Sequence, residues 1–288
     1  MVTHCFGRSL VRHAAAGGLM CAGLAGAAPP APERADKSGF TFFNPTPDAL
    51  LRELATDRPD ATERPLTVDA GRVQVEMDFA NRTRNRLDGV RTTGWAVAPF
   101  NLRLGLTPCF ELGVFVAPWQ RETEQPRVGP KEKRAGFGDT TVRGKLNLGG
   151  NDGGPLAWGL MADLKRPTAS GGVSNGTCEG ALTLPVAFEL GGGWEGEAMT
   201  LIELRHTGGG DYRAVGGNTV TVGHEIAGRL GGFVELTSAA GDGAQVATCN
   251  GGLTYRVGRD GQVDGGVNLG LSRGAPDVQV FAGIARRF

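Results

Sequence analysis

The sequence is poor in cysteine, histidine and aromatic residues, and it has no excess of charge of either sign. Its 288 residues include five Cys and four His, aromatic residues make up 7%, and 30 basic residues balance 30 acidic ones. This balance, without any Lys/Arg tract, excludes a nucleic-acid-binding surface. No run of about 18 apolar residues occurs, so a helical membrane protein is excluded as well. Glycine, in contrast, is abundant: 48 residues, about one in six, against an ordinary share of ~7%.

The first 27 residues predict an export signal that is removed from the mature protein. Arg8 and Arg12 precede a short apolar stretch of small residues, and Ala25-Gly26-Ala27 has the pattern of a cleavage site. The mature chain is therefore expected to begin near Ala28. Cys21 raises the alternative of a lipoprotein, which the large Met residue before it disfavours.

Residues 28–70 are expected to form a lead-in to the main domain. Thr46-Pro47-Asp48 combines a helix N-cap, a proline at the first helical position and an early acid, and Leu50, Leu51 and Leu54 follow as an apolar stripe. This pattern predicts a helix of two or three turns. The helix would either fold against the mouth of the domain or plug its interior.

From residue 71 to 288, apolar and polar residues alternate in segments separated by turn-forming residues. In the last segment Val278, Val280 and Ala282 share one face of an extended strand, while Gln279 and Gly283 share the other. About twelve strands of this kind are predicted, near residues 72–81, 92–106, 110–120, 138–149, 155–166, 179–190, 194–206, 218–228, 230–238, 244–257, 261–272 and 277–288.

The connections between these strands alternate in length. Tight turns rich in glycine alternate with longer polar links, at residues 82–91, 121–137, 168–178 and 207–217. Short turns at one end and long loops at the other are typical of outer-membrane barrels whose termini both lie in the periplasm. The sequence therefore predicts an all-β fold, an antiparallel up-and-down transmembrane β-barrel in contact with the lipid bilayer of the bacterial outer membrane. A soluble sheet with one wet face would show the same alternation in any single strand.

Outward aromatic residues support the membrane interpretation. If the short turns face the periplasm, six aromatic side chains fall on outward faces near that end, as a membrane-interface girdle requires. They are Phe110, Trp158, Phe188, Trp194, Tyr255 and Phe288. The terminal Phe288 also resembles the C-terminus that the barrel assembly machinery reads in outer-membrane proteins.

Charged residues of both signs are predicted to point into the lumen as a charge belt. They are Glu76, Asp78, Arg103, Glu111, Arg143, Lys145, Asp163, Lys165, Glu203 and Arg205. These residues either line a conducting pathway or form an ion-pair network that closes the barrel. By the same alternation Trp95, Phe115 and Trp119 point inward nearer the long loops, where they would form an apolar vestibule or pack beneath the loop at 121–137.

One stretch carries a family resemblance. Residues 56–76, with Asp57, Arg58 and two prolines, together with Gly138-Asp139-Thr140, Asn151-Asp152 and the terminal Arg287-Phe288, resemble an outer-membrane barrel family linked to the MetA pathway of phenol degradation. The resemblance covers roughly residue 56 to the end. It implies a membrane barrel and a transport role. Asp57 and Arg58 are interpreted as a salt-bridged structural bend in preference to a binding site.

No catalytic or cofactor site is predicted. His206 and His224, the histidines of the strand region, lie in no recognisable catalytic motif. The cysteines that remain after export, Cys109, Cys178 and Cys249, are an odd number without metal-like spacing. The sequence therefore predicts a transporter or channel for small, aromatic or hydrophobic solutes, without cofactor or metal. The alternative is a non-conducting structural or interaction barrel.

Overall fold

The computed structural model describes residues 35–207, 210–241 and 244–288. The predicted export signal, residues 1–27, and the alternative lipidation site at Cys21 lie outside these ranges. Within them the architecture is all-β. The described part of the chain contains no helix with the length and apolar character that crossing a membrane would need.

Fifteen strand segments form one antiparallel sheet, and the pairing of its last strand with its first closes the sheet into a barrel. The segments are β1 (Val73–Leu87), β2 (Val90–Val97), β3 (Phe100–Thr107), β4 (Phe110–Val116), β5 (Trp119–Pro126), β6 (Glu132–Gly136), β7 (Thr140–Gly149), β8 (Leu156–Arg166), β9 (Glu179–Gly191), β10 (Trp194–His206), β11 (Tyr212–Ala227), β12 (Leu230–Gly241), β13 (Ala244–Arg256), β14 (Gly261–Gly270) and β15 (Val278–Arg287).

Three pairs of segments are halves of single barrel strands. Both β2 and β3 pair with β1, and their neighbours β5 and β4 pair with them in turn. In the next strand, β6 pairs with β5 and β7 pairs with β4. Counted around the wall, the barrel therefore has twelve strands, which confirms the predicted number and class of fold.

The outer wall is apolar over most of its circumference. Leu182, Leu204 and Leu236 are 53%, 52% and 51% exposed, and they alternate along their strands with residues that face inward. A wall of exposed leucine is unfavourable in water and favourable against lipid. The alternation thus places the polar half of each strand in the barrel interior.

Two of the predicted long loops are wrong. Residues 82–91 are the tip of a hairpin, in which β1 and β2 stay paired as far as Leu87 and Val90. Asp88 and Gly89 both adopt positive φ, as a two-residue turn between right-twisted strands requires. Likewise most of 121–137 belongs to β5 and β6. The end of the barrel that carries these hairpins and the links at 168–178 and 207–211 is called the loop end, and the opposite end the turn end.

The predicted N-terminal helix is also wrong. A single 3₁₀ turn, Asp48–Leu50, takes its place, and Leu51 is already extended. The backbone N–H of Arg52 donates to the Asp69 carboxylate at 3.0 Å instead of continuing a helical ladder. The chain is thereby directed from the turn end into the barrel.

Candidate functional site: a plugged lumen

Residues 52–69 run through the interior of the barrel, and we call them the plug. Thr56, Thr62 and Asp69 are each less than 7% exposed, and the plug touches the inner wall on opposite sides. Thr62 bonds to β11 and β12, whereas Asn147 on β7 donates to the carbonyl of Pro65 at 3.0 Å. The plug therefore crosses the lumen from wall to wall.

Asp57 is the centre of an ion-pair cluster with β3 and β7. Its carboxylate lies 2.6 Å from the Lys145 ammonium and 3.4 Å from the Arg103 guanidinium. Arg103 also bonds Glu76 at 2.6 Å and Glu111 at 2.8 Å, and all five side chains are almost fully buried. Burial alone would raise the pKa of Asp57, but Arg103 and Lys145 outweigh it and hold this pKa below its usual range. The carboxylate is thus ionised and paired.

Glu235 on β12 binds the far side of the plug. Its carboxylate accepts the backbone N–H of Thr62 at 2.7 Å and that of Ala61 at 3.1 Å, together with the Thr62 hydroxyl at 2.5 Å. Thr221 and Asn250 of the wall donate to the same carboxylate at 3.1 and 2.6 Å. A buried carboxylate with five donors is well satisfied, so this contact is a strong anchor.

Two plug arginines bind acidic residues of β1, β10 and β14. Arg58 lies between Asp264, at 2.7 Å, and Asp78, with which it also forms an ion pair. Arg64 lies 2.5 Å from Glu197 and 3.1 Å from Glu195. The interpretation of Arg58 as part of a salt-bridged bend agrees with this geometry, although its partners are on the barrel wall.

Glu63 of the plug shares the Arg143 guanidinium with Asp163 of the barrel wall. Its carboxylate lies 2.5 Å from Arg143, and Arg143 also makes two hydrogen bonds of 2.7 Å to Asp163 on β8. Burial, opposed by Arg143 and supported by the nearby Asp57 charge, raises the pKa of Glu63 to about 7. This plug residue therefore titrates near neutral pH.

The predicted charge belt divides into two levels. Six of its members contact the plug directly: Glu76, Asp78, Arg103, Glu111, Arg143 and Lys145. Asp163 is linked to the plug through Arg143. Closer to the loop end, Lys165 pairs with Glu179 at 2.5 Å and Arg205 with Glu203 at 2.6 Å, without a contact to the described plug residues.

Trp95 and Trp119 lie on the outer wall, which corrects their assignment to a vestibule. Trp95 is paired with Arg82, and Arg82 with Val280 on β15. Directly paired residues share one face of a sheet, and Val280 is 47% exposed on the lipid side. Trp119 is paired in the same way with the exposed Val97.

An interruption of the strand explains this error. Ala98 has a left-handed φ of 51°, and Pro99 after it has no N–H to donate to a ladder. Pairing with β1 resumes on the other side of the break at Phe100, so alternation counted through residues 98 and 99 gives the wrong face.

Three phenyl rings face the lumen. Phe115 lies inside as predicted by alternation, with the Arg143 guanidinium 4.5 Å from its ring centroid. Phe233 and Phe281 lie at the ends of one cross-strand row, Phe233–Gly252–Gly266–Phe281, whose two glycines leave room for the rings. A side chain at Gly252 would meet the Phe233 ring 2.6 Å away. The inner wall thus presents aromatic surface beside the plug.

The six girdle residues lie on the outer wall at the turn end. Trp158, Trp194 and Tyr255 are nearly half exposed, and Phe288 is 66% exposed. The remaining two, Phe110 and Phe188, pack over the glycines of neighbouring strands, Gly144 and Gly196. His224 also faces outward, where its ring lies 4.3 Å from that of Trp194.

Sequence reasoning missed the wall residues Glu197 and Glu235 and the threonines beside them. A signal for both acids was present, because each is an inward-facing charge in a strand whose other face is apolar. Their partners lie in the plug, more than 130 residues away. Nothing in strand alternation links positions so distant.

The barrel fold is shared by a solved structure. The beta domain of the Bordetella autotransporter Brka has a TM-score of 0.50 at 11% identity, with 74% of this chain and 98% of that chain covered, and it shares the barrel fold. The NanC porin has a TM-score of 0.49 at 8% identity, with 74% of this chain and 98% of that chain covered. The Ralstonia pickettii toluene transporter TbuX has a TM-score of 0.42 at 8% identity, with 75% of this chain and 88% of that chain covered. No curated protein matches this sequence.

A family model gives the assignment. The family described as "Putative MetA-pathway of phenol degradation" matches residues 56–288, which include most of the plug and the entire barrel. This chain, a twelve-stranded barrel with its own N-terminal segment inside the lumen, belongs to that family.

Proposed function

We propose that this protein is an outer-membrane transporter for small aromatic or apolar solutes, and that the plug closes it in the state described here. The observation that carries the proposal is the chemistry of the plug contacts. Between Ala55 and Pro65 the apolar residues are alanine and proline alone, and the contacts to the wall are ion pairs and hydrogen bonds. Undocking of residues 55–65, without the buried Leu54 and Val68 at the ends of the plug, therefore exposes little apolar surface, and water can solvate the separated charges.

The solute class follows from the rings beside the plug. Phe115, Phe233 and Phe281 offer aromatic faces in a lumen whose other side chains are largely polar. Ring stacking and contact with apolar solutes are the interactions that such faces provide. The family description, which refers to phenol degradation, supports the same class of solute.

The location also belongs to this proposal. Residues 1–27 direct export and are removed by cleavage before Ala28, Phe288 serves as the signal to the barrel assembly machinery, and the girdle of outward aromatics lies at the periplasmic interface. The exposed apolar wall and the outward Trp194 and Tyr255 support it.

A second function, a non-conducting structural barrel, is favoured by the plug itself. A segment that binds opposite walls cross-links the barrel, and its removal would leave buried charges without partners. The two functions differ in one measurable property, because only a transporter opens.

A reversible lock on the plug tests the proposal. The Thr62 and Thr219 hydroxyl oxygens are 2.7 Å apart, so cysteines at both positions are close enough for a disulfide. We expect single-channel recordings of Thr62→Cys/Thr219→Cys, with the native cysteines replaced by serine, to show openings only after reduction. Thr219→Cys alone is the matched control and should open in both conditions. Identical records for locked and reduced protein, or no openings in wild type, would leave only the structural barrel.

A further inference from the structure

A strongly cationic patch covers one side of the barrel near the loop end. Its members come from β1, β2, β5 and the link that follows: Arg82, Arg84, Arg86, Arg91, Arg121 and Lys131. Together with Thr93, Thr123 and Gln125 they line a cavity of about 350 Å³. Among the described residues a single carboxylate, that of Asp277, also lines this cavity.

The patch is on the outer wall. Arg82 and Arg84 are paired with Val280 and Val278, which lie on the lipid side of β15. Gly283 and Arg287, which have the opposite parity on β15, face the plug. The same cross-strand rows continue through Trp95 to Arg121. The cations therefore point away from the lumen.

The height of the patch corresponds to the headgroup layer of a membrane. Arg82 and Arg121 lie 5.1 and 5.8 Å from the ring centroids of Trp95 and Trp119, and tryptophan marks membrane–water interfaces. Arg86 lies four residues beyond Arg82, roughly 13 Å at ~3.3 Å per residue along a strand. The cations thus extend from the interface outward.

In the described part of the chain these six cations share a single nearby carboxylate, that of Asp277, and are not in ion-pair contact with it. Within the described ranges none of the six cations forms an ion pair, whereas Arg134, on the other face of the same hairpin sheet, contacts Glu122, Glu124 and Glu132. Arg86 and Arg91 are direct cross-strand neighbours, and like charges in that position repel. The Nε atom of Arg82 is buried without an acceptor. An anion in the cavity would satisfy both features.

The outer wall formed by β8, β9 and β10 carries leucines where the patch carries its cluster of cations. On the other side of the barrel, near the loop end, Leu164, Leu182 and Leu204 are each about half exposed at 51%, 53% and 52%. Contact with bulk lipid, which surrounds the barrel uniformly, does not explain a cluster of cations on one side. The one-sided placement of the cations therefore indicates a binding site for an anion.

We propose that the patch binds the phosphorylated headgroup of an outer-leaflet glycolipid, with the acyl chains along the apolar wall below, from Val97 toward the turn end. Guanidinium groups bind phosphate oxygens in bidentate geometry, and several arginines around one cavity suit a headgroup that carries more than one phosphate. The proposal rests on the outer-membrane location given above, with the loop end at the cell surface. It does not require the barrel to conduct.

The test uses the full-length mature protein in detergent, with native mass spectrometry to count bound lipid. We expect a bisphosphorylated lipid A-type glycolipid to bind, and Arg84→Gln/Arg86→Gln/Arg91→Gln to weaken binding about 100-fold, with each cation taken as a roughly five-fold contribution. The control, Arg229→Gln/Arg256→Gln/Arg286→Gln, removes three cations at the turn end and should bind like wild type.

Two results would overturn the proposal directly: binding of the dephosphorylated glycolipid as tightly as the phosphorylated one, or equal loss of binding in both triple variants. Full displacement of the lipid by millimolar inorganic phosphate would also overturn it, because the patch would then be a site for free anions. Unchanged melting of both variants shows that each remains folded. The transport proposal is judged separately, by channel recording of the same wild-type sample, and the location by cell fractionation.

Discussion

Glu235→Gln should release the far side of the plug without changing the shape of the lumen. Three bonds from the plug, two from backbone N–H groups and one from the Thr62 hydroxyl, end on this carboxylate. A hydrogen bond to a charged group contributes about 1.5–3 kcal/mol, and a neutral one about 0.5–1.5 kcal/mol. In Gln one of the two oxygens is replaced by an NH2 group, which donates and cannot accept, so the bonds on that side are lost and those to the remaining oxygen become neutral. At about 1 kcal/mol or more per bond, the total cost is about 3 kcal/mol or more. Since 1.4 kcal/mol is a factor of ten, the undocked fraction should rise about 10²-fold.

Hydrogen exchange measures this fraction directly. The amides of Ala61 and Thr62 are protected by Glu235 in the docked state, so their protection factors should fall by about 10²-fold in the variant, while those of the barrel strands stay unchanged. Glu203→Gln removes a lumen carboxylate that pairs with Arg205 above the plug, and serves as the control. The reasoning is refuted if the two variants protect residues 56–66 equally.

Three other predictions concern the lumen and the orientation of the barrel. Replacing Arg103, Arg143 and Lys145 together by Gln leaves Asp57 and Glu63 without their cations. The melting temperature should fall, since breaking a buried ion pair costs about 3–5 kcal/mol. Any conductance should become cation-selective in reversal-potential measurements. A shift of the ion selectivity toward anions would contradict this prediction. Docking of the plug raises the pKa of Glu63 from 4.5 to about 7. Between pH 4.5 and about 7 the docked state therefore binds more protons than the undocked state, and docking should weaken as the pH rises through this window. Channel opening should thus be more frequent at pH 8 than at pH 5. Glu63→Gln should reduce the difference, and the remainder should come from Asp60, whose pKa is also raised by burial and by the Glu197 and Glu235 charges. Cysteine at Asp211, in a loop-end link, should react with an impermeant thiol reagent on whole cells lacking the native cysteines, whereas cysteine at Asp152 should not; the reverse pattern would invert the barrel.

Strand alternation predicted the barrel wall well because a barrel in lipid imposes one rule on every strand. The rule gave twelve strands, the outward Trp158 and Tyr255, and the inward Arg103 and Lys145. It failed at Ala98 and Pro99, where a positive φ and a missing N–H interrupt the ladder, and so misplaced Trp95.

The plug was beyond the reach of this rule. Thr56 to Pro65 has no periodic pattern, and its partners lie on strands up to 206 residues away in sequence, as for Arg58 and Asp264. Its charges alone did not distinguish a bend at the barrel mouth from a segment inside the lumen. Only the closed barrel, which brings Glu235, Asp264 and Lys145 around one space, makes their shared partner evident.

The plug is fixed at both of its ends. Before it, the backbone of Phe42 bonds to Leu106 and that of Thr46 to Ala70; after it, Gly71 bonds to Gly105 and the chain continues as β1. Residues 52–69 therefore form a loop that behaves as an intramolecular ligand of the barrel. Its effective concentration at its own site is in the millimolar range for a short flexible tether. Docking should consequently be independent of protein concentration, and a free peptide of residues 55–65 should compete with the plug only at millimolar concentration or above.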